Sequence, residues 1–322
     1  MFKNETILVI GAGSIGERHI RTLWKLGYQN IIVYRQRNLP FRDIADAKVT
    51  VITNWNEVLQ QKPFAAIICT PSAQHTPQAI QCLQNNIHVL VEKPLGGYDF
   101  NSTALLNAVN QSGKYLQVAY MLHYHPLLQK VKSFTETKEL GKLLNIQTCW
   151  AEYLPNWHPW EDYRESYAAK KELGGGVALT LSHDIDVCNW IVGSNIKKFA
   201  SFPSSTSHLE VNTESIFDAN LLYENGVTAH VHLNYVQAVN ERWYKFIFDK
   251  ALVTIDYYKA SIKISTFQDE TEEVIEDFNR DDLFINQTKD FFLNIQKEDK
   301  VNLAINNILQ SESVIKICTN EQ

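Results

Sequence analysis

The chain has no run of apolar residues long enough to cross a bilayer, no internal repeat, and no low-complexity tract or long linker, so membrane-spanning, solenoid and disordered classes drop out. Its first apolar strand opens within a few residues of Met1, and no signal peptide is expected. Cysteine is sparse. The five residues at 69, 82, 149, 188 and 318 are odd in number and lack a CxxC spacing, which argues against a disulfide frame or a zinc site and predicts reduced core thiols in a cytoplasmic protein. Basic charge is short as well: 30 Lys and Arg against 36 Asp and Glu give a formal charge of −6 and a pI near 5.9. No basic stripe or recognition motif points to nucleic acid or an anionic membrane. What remains is 322 residues, 45% hydrophobic, enough for two domains with real cores.

The most informative stretch is the first. Ile7-Leu8-Val9-Ile10 runs into Gly11-Ala12-Gly13-Ser14-Ile15-Gly16, and Ile20, Leu23 and Trp24 follow at helical spacing, which reads as strand, tight turn and helix. Gly11 permits the sharp turn, Gly13 lets the backbone approach a pyrophosphate, and Gly16 lets the helix lie close to the strand. Gly27 then ends the helix, and Ile31 to Tyr34 forms a second strand. This turn, with Ser14 and Ile15 at the positive end of the helix, is predicted to hold a dinucleotide.

Strand and helix keep alternating. Short apolar runs at Val49–Ile52, Phe64–Cys69, His88–Val91 and Tyr115–Val118 are separated by helical segments through Val58, from about Pro77 to Leu83, and around Ala104 to Val109. That pattern predicts a doubly wound parallel sheet covered on both faces, whose ligands bind beyond the carboxyl ends of its strands. At the end of the second strand, Tyr34-Arg35-Gln36-Arg37 lacks the acid that would hold a ribose 2′-hydroxyl, and the first acid after it is Asp43. Arg35 and Arg37 suit a 2′-phosphate, so NADP is favoured over NAD; the alternative is that both are solvated surface charges. Thr70-Pro71-Ser72-Ala73-Gln74-His75 is a polar turn expected beneath the cofactor. In Val91-Glu92-Lys93-Pro94 the proline stops the strand and leaves Lys93 projecting from its tip.

Near residue 122 the character changes, predicting a first domain over 1–122 and a second over 123–322. A helix is expected from His123 to Phe134, then longer alternating strands. The clearest hairpin joins 215–223 to 227–233 through Glu224-Asn225-Gly226. Val227, Ala229, Val231 and Leu233 face one way; Thr228, His230 and His232 face the other. Those histidines read as half-exposed sheet residues or a subunit contact rather than metal ligands, because no partner set is evident nearby. Further strands are expected at 243–248 and 252–257, and closing helices at 284–295 and 303–317.

With these parts assembled, the sequence resembles the glucose-fructose oxidoreductase, inositol dehydrogenase and MocA (Gfo/Idh/MocA) family over nearly its whole length. The matching residues are Gly11-x-Gly13-x-x-Gly16, Thr70-Pro71 with His75, Glu92-Lys93-Pro94, and Gly174-Gly175-Gly176 leading to His183-Asp184-Ile185-Asp186. The resemblance implies an N-terminal Rossmann domain, a C-terminal α/β domain with a large open, mostly antiparallel sheet that mediates a homodimer or homotetramer, and NAD(P)-dependent redox chemistry on sugars, cyclitols or related small molecules. By position, Lys93 looks like the family's active-site lysine and His183 like its catalytic histidine. Many members carry an aspartate shortly before that histidine, where Thr180 stands nearest here, and often an arginine where this chain has His123. The run from Tyr153 to Arg164 looks like a branch associated with bacterial surface-sugar biosynthesis. Its Trp157 and Tyr163 could stack on sugar faces, while Arg164 and Lys170 could take a carboxylate or phosphate; the alternative is a structural aromatic loop.

Hydride chemistry on a carbinol or ketone needs one proton managed and one oxygen stabilised. The expectation is His183 as acid/base and Lys93 as its electrostatic partner, with exchanged roles open, and Asp186 orienting or capping. Gly11, Gly13, Ser14, Ile15, Gly16, Arg35, Arg37, Thr70, Pro71, His75, Glu92 and Lys93 are expected at the cofactor; Lys93, His123, Trp157, Tyr163, Arg164, Thr180 and His183 at the substrate; and no metal. Two rivals stay open at this point: a non-catalytic NAD(P)-binding sensor, and an enzyme that recycles a tightly bound cofactor internally.

Overall fold

In the computed structural model, which describes residues 2–36, 40–44 and 49–321, six short strands form a parallel sheet in the order β3-β2-β1-β4-β5-β6. They are β1 (Ile7–Ile10), β2 (Ile31–Tyr34), β3 (Thr50–Ile52), β4 (Ala65–Ile68), β5 (His88–Val91) and β6 (Leu116–Val118). Every residue of β1, β4 and β5 is buried, which is why these runs, apart from His88 at the start of β5, are apolar rather than alternating. Helices α1 (Ser14–Lys25), α2 (Trp55–Gln60), α3 (His75–Gln84) and α4 (Ser102–Ser112) make the crossovers. Asn54 and Asn101 cap α2 and α4 by accepting from the N–H two residues on, and Gly113 ends α4 at φ +64°. With these ends α4 starts two residues before and stops three residues after the expected 104–109.

The chain builds β1, β2 and β3 outward on one side, then returns to place β4 beside β1 on the other. Ile10 is paired with both Tyr34 and Ile68, and Ile68 with Val91. Gly11, Arg35, Cys69 and Glu92 therefore emerge side by side at one edge, across the point where strand order reverses.

Residues 1–121 group with 280–312, and 122–279 with 313–322. Residues 280–312 thus return to the first unit, far along the chain from residue 122. Helix α8 (Arg280–Asn294) sits against α1, with Lys25 Nζ 3.0 Å from Asp281 and the His19 and Phe284 rings edge to face.

The second unit is built on eight strands in the order β14-β13-β12-β11-β7-β10-β9-β8, with α5 (Pro126–Thr137), α6 (Val177–Thr180) and α7 (His183–Val192). The strands are β7 (Leu143–Tyr153), β8 (Ile196–Ser204), β9 (Ile216–Tyr223), β10 (Thr228–Asn234), β11 (Val236–Phe248), β12 (Ala251–Asp256), β13 (Ser261–Thr266) and β14 (Glu270–Val274). Only β7 and β10 pair in parallel. Phe217, Ala219, Leu221, Ala229, Val231 and Leu233 are buried on one face, against α6 and α7, as the alternation predicts. On the other face His230 bonds Asn220 across the hairpin, and His232 Nδ1 lies 2.7 Å from Asp218. The last helix, α9 (Lys300–Thr319), supplies 300–312 to the first unit and 313–319 to the second.

Candidate active site

The site residues divide between the two units. In the first, Gly11 adopts φ +86°, and a Cβ there would lie 3.0 Å from the Cys69 carbonyl oxygen. A Cβ on Gly16 would stand 2.2 Å from the Gly11 oxygen, so only glycine lets α1 start this close to β1. Gly13 is the opposite case: it is exposed and a Cβ would meet nothing within 4 Å. Backbone and the first turn of a helix, with open space before them and no capping side chain, fit a pyrophosphate.

The segment after β2 is fixed from α1. The Glu17 carboxylate, almost wholly buried, accepts the Arg42 N–H at 2.9 Å and the Asp43 N–H at 2.7 Å. Asp43 itself pairs with Arg21, and the Arg35 guanidinium lies 4.3 Å from the centroid of Phe41. Arg37 falls outside the described residues.

Glu92 and Lys93 follow β5, and the Lys93–Pro94 peptide is cis. Lys93 is half-buried. Glu92 turns inward and accepts from His19 Nε2 at 2.8 Å. Burial pushes its carboxyl up, but the His19 bond and the charges of His19, Lys93 and His75 outweigh this and hold it below the ordinary carboxylate range. His75 was expected to touch the cofactor, yet its ring is buried, with Nδ1 2.7 Å from the Pro94 oxygen and Nε2 2.7 Å from the Thr70 oxygen. Its imidazole acts on the turns, not outward. Thr70 is half-buried beside Gly11 and donates its hydroxyl to Gln78 at 2.7 Å.

In the second unit the triple glycine has a steric basis. A Cβ on Gly175 would strike the Tyr167 oxygen at 2.2 Å, and one on Gly176 would strike the Glu214 carboxylate at 2.4 Å. That carboxylate instead accepts the Ala178 N–H at 3.0 Å, fixing α6 and hence the buried Thr180. His183 opens α7, 4% exposed, its ring 6.3 Å from that of Trp150. Asp186, one turn on, is bonded by His123 Nε2 at 2.8 Å, and the His123 ring stacks on Trp190. Burial raises the Asp186 pKa, with His123 opposing. Thus His123, Asp186 and His183 converge on one helix.

The position between them, Asp184, carries an arrangement that sequence reasoning missed. Its carboxylate accepts from Thr148 Oγ1 at 2.6 Å and is paired with the buried Arg242 guanidinium, which also lies over the Trp150 and Tyr257 rings at 3.6 and 4.5 Å. In the aromatic loop, Trp157 is half-buried edge to face with Tyr235, and the Tyr163 hydroxyl accepts the Glu210 N–H. Arg164 pairs with Asp162 and Glu210, and Lys170 with Glu165, so both expected anion-binding cations already hold carboxylates.

Among the described residues no helix is long and apolar enough to cross a membrane, and no group of three or more His, Cys, Asp or Glu side chains is disposed to hold a metal.

A parallel sheet of dinucleotide-binding type with Lys93 following β5, and a second, open-sheet unit with a buried histidine, define the architecture of the chain as a Rossmann-type unit joined to an open-sheet α/β unit. Residues 6–120 match the model of an oxidoreductase family with an NAD-binding Rossmann fold, and 128–254 match the GFO/IDH/MocA C-terminal domain. The chain belongs to the Gfo/Idh/MocA family. It is 27% identical over 244 residues to the uncharacterized oxidoreductase YrbE of Bacillus subtilis, covering 69% of this chain and 64% of that protein. It is 24% identical over 194 residues to an inositol 2-dehydrogenase of Corynebacterium glutamicum, covering 59% of this chain and 54% of that one. These matches span less than two thirds of the length of either relative. A solved levoglucosan dehydrogenase in complex with NADH superposes with a TM-score of 0.79 at 15% identity, over 99% of this chain and 98% of that one. GenD2 from gentamicin A biosynthesis, in complex with NAD, gives 0.79 at 17% identity over 99% and 95%.

Proposed function

We propose that the protein transfers a hydride between a nicotinamide dinucleotide and a carbinol or ketone carbon of a sugar, sugar nucleotide or cyclitol. The observation that carries this reading is the glycine turn, open at Gly13 and closed at Gly16, in the same unit where Lys93 follows the fifth strand of the sheet. When bound, the cofactor accepts or delivers the hydride. Gly11, Gly13, Ser14, Ile15 and Gly16 hold its pyrophosphate; Thr70, Pro71, Glu92 and Lys93 border it. Lys93 stabilises the negative charge that grows on the substrate oxygen, and His183 takes the hydroxyl proton in oxidation or returns it in reduction. His123, Trp157, Tyr163 and Thr180 orient the substrate, with Arg164 exchanging a carboxylate partner for an anionic substituent.

NADP is the preferred form in this reading. Its support is the absence of an acid at the end of β2, with Asp43 engaged by Arg21 and Arg35 held over Phe41. The aromatic run 153–164 supports a substrate from bacterial surface-polysaccharide biosynthesis, and the open sheet supports a homo-oligomer. The test is a fluorescence titration with NADPH and NADH, then turnover against sugars, cyclitols and nucleotide sugars in both directions. Lys93→Met and His183→Ala should each lower kcat by about 100-fold or more while cofactor still binds. Near-normal turnover in either variant removes that residue's role.

A further inference from the structure

His75 opens α3 with its ring 1% exposed and both nitrogens facing main-chain oxygens, Nδ1 at 2.7 Å from Pro94 and Nε2 at 2.7 Å from Thr70. A carbonyl oxygen can only accept. A neutral imidazole has one N–H and one bare lone pair, so it satisfies one of these oxygens and turns a lone pair on the other; the imidazolium donates to both. Both distances lie at the short end, where charge-assisted bonds are found. Burial, the largest influence, and Lys93 lower the pKa of the ring overall, against the pull of the two carbonyl bonds and the charge of Glu92; the case for the charged ring is the geometry, two nitrogens each set against an oxygen that can only accept. A neutral ring would leave a lone pair and an oxygen in contact inside the protein, a cost that the charged ring avoids. Glu92 is the counter-charge, itself kept ionised by His19.

We propose that His75 is held as a buried imidazolium that ties the Thr70 turn to the Lys93–Pro94 turn, making it a positioning residue for Lys93. The inference of position rests on the role given to Lys93 above. The next residue of α3 adds a tether in the same direction, Thr76 Oγ1 donating to the Leu95 oxygen at 2.9 Å. Two consecutive side chains at the start of α3 thus grip two consecutive carbonyls after Lys93. Loss of the His75 proton breaks one of the two imidazole bonds and sets a lone pair against the freed oxygen, loosening the turn that presents the amine.

The direct test is nitrogen NMR of the full chain labelled at its histidine rings, with His75 assigned by the signal missing in His75→Gln. Should that variant not fold, contacts from the ring N–H protons to the α-protons of Thr70 and Pro94 assign it. Both ring nitrogens should carry protons at pH 7.5, where a solvent-exposed histidine is neutral; one protonated and one bare nitrogen overturns the proposal. In kinetics, His75→Gln should lower kcat about tenfold or more while cofactor Kd changes less than about threefold, as expected when a group is misplaced rather than removed. Equal losses in both would overturn the positioning role. If the native chain turns over no substrate, the proposed function fails, and the ring spectrum still decides the charge.

Discussion

The pair formed by Asp184 and Arg242 should dominate the stability of the second unit's sheet-to-helix packing. The two side chains are 0% and 2% exposed. Arg242 Nε also donates to the Tyr244 hydroxyl at 3.0 Å, and its guanidinium lies over two aromatic rings. Burial works against the charged form, yet Asp184 outweighs it and the guanidinium pKa is raised. Arg242→Met keeps an aliphatic stem against Trp150 but strands the carboxylate, to which the Thr148 and Tyr244 hydroxyls still donate. Breaking one half of a buried pair costs about 3–5 kcal/mol, and with two hydroxyls still donating to the carboxylate the expected loss is about 4 kcal/mol. Asp184→Leu strands the guanidinium and should cost a similar amount.

The double variant Asp184→Leu/Arg242→Met removes both charges. It should recover most of the loss, leaving a coupling energy of at least about 2 kcal/mol, because two apolar groups of similar shape carry no uncompensated charge. Urea unfolding followed by far-ultraviolet circular dichroism, with Trp fluorescence as a second probe, measures all four corners of the cycle. Single-variant losses below about 1 kcal/mol, or strictly additive effects, would refute the reasoning, since surface-like pairs behave that way.

His125 is wholly buried beside Tyr257 and Phe278, and neither ring nitrogen meets a hydrogen-bonding partner among the described residues. Burial, helped by Arg242, pushes its pKa down from 6.5 to about 4. The folded state therefore resists the proton: its contribution is intact above pH 6.5, is lost as pH falls towards 4, and amounts to about 3 kcal/mol. His125→Phe should flatten that acid-side decline in urea midpoints without lowering stability at pH 8; an unchanged decline argues against the assignment. Gly16→Ala should weaken cofactor binding about tenfold or more in a fluorescence titration, because the added methyl meets backbone at 2.2 Å, and unchanged affinity would show that α1 can retreat. Arg35→Ala should raise the KM for NADP about tenfold and leave that for NAD unaltered, the cost of one charged hydrogen bond; equal effects on both would remove Arg35 from phosphate recognition.

The parallel sheet was legible because both its faces are covered: β1 and β4 are unbroken apolar runs, β5 is one after His88, and the turns after them contain the residues that stop strands. The hairpin of β9 and β10 was legible for the opposite reason, a strict alternation over one covered face. Strand β14 was not, since Glu270-Thr271-Glu272-Glu273-Val274 is exposed along its whole length at the sheet's edge and has no apolar face to betray its period. Strand β8 likewise hides behind Lys197, Lys198 and Pro203. The return of 280–312 to the first unit was invisible because it depends on pairs such as Lys25 with Asp281, more than 250 residues apart.

Around His183 the limit is sharper. At 100° per residue, Asp184 and Asp186 point about 200° apart on α7, so the sequence alone requires that they face different surroundings. It does not say which faces the sheet. Asp184 meets Arg242 from β11 and Thr148 from β7, while Asp186 lies about 60° from His183 and meets His123. The two carboxylates of one short motif thus have separate tasks: one anchors the helix to the sheet, and the other shares the histidine's side of the helix and holds a second imidazole. Their spacing predicts opposed directions; only the register of β7 and β11, which sets Trp150 opposite Arg242, decides which task falls to which residue.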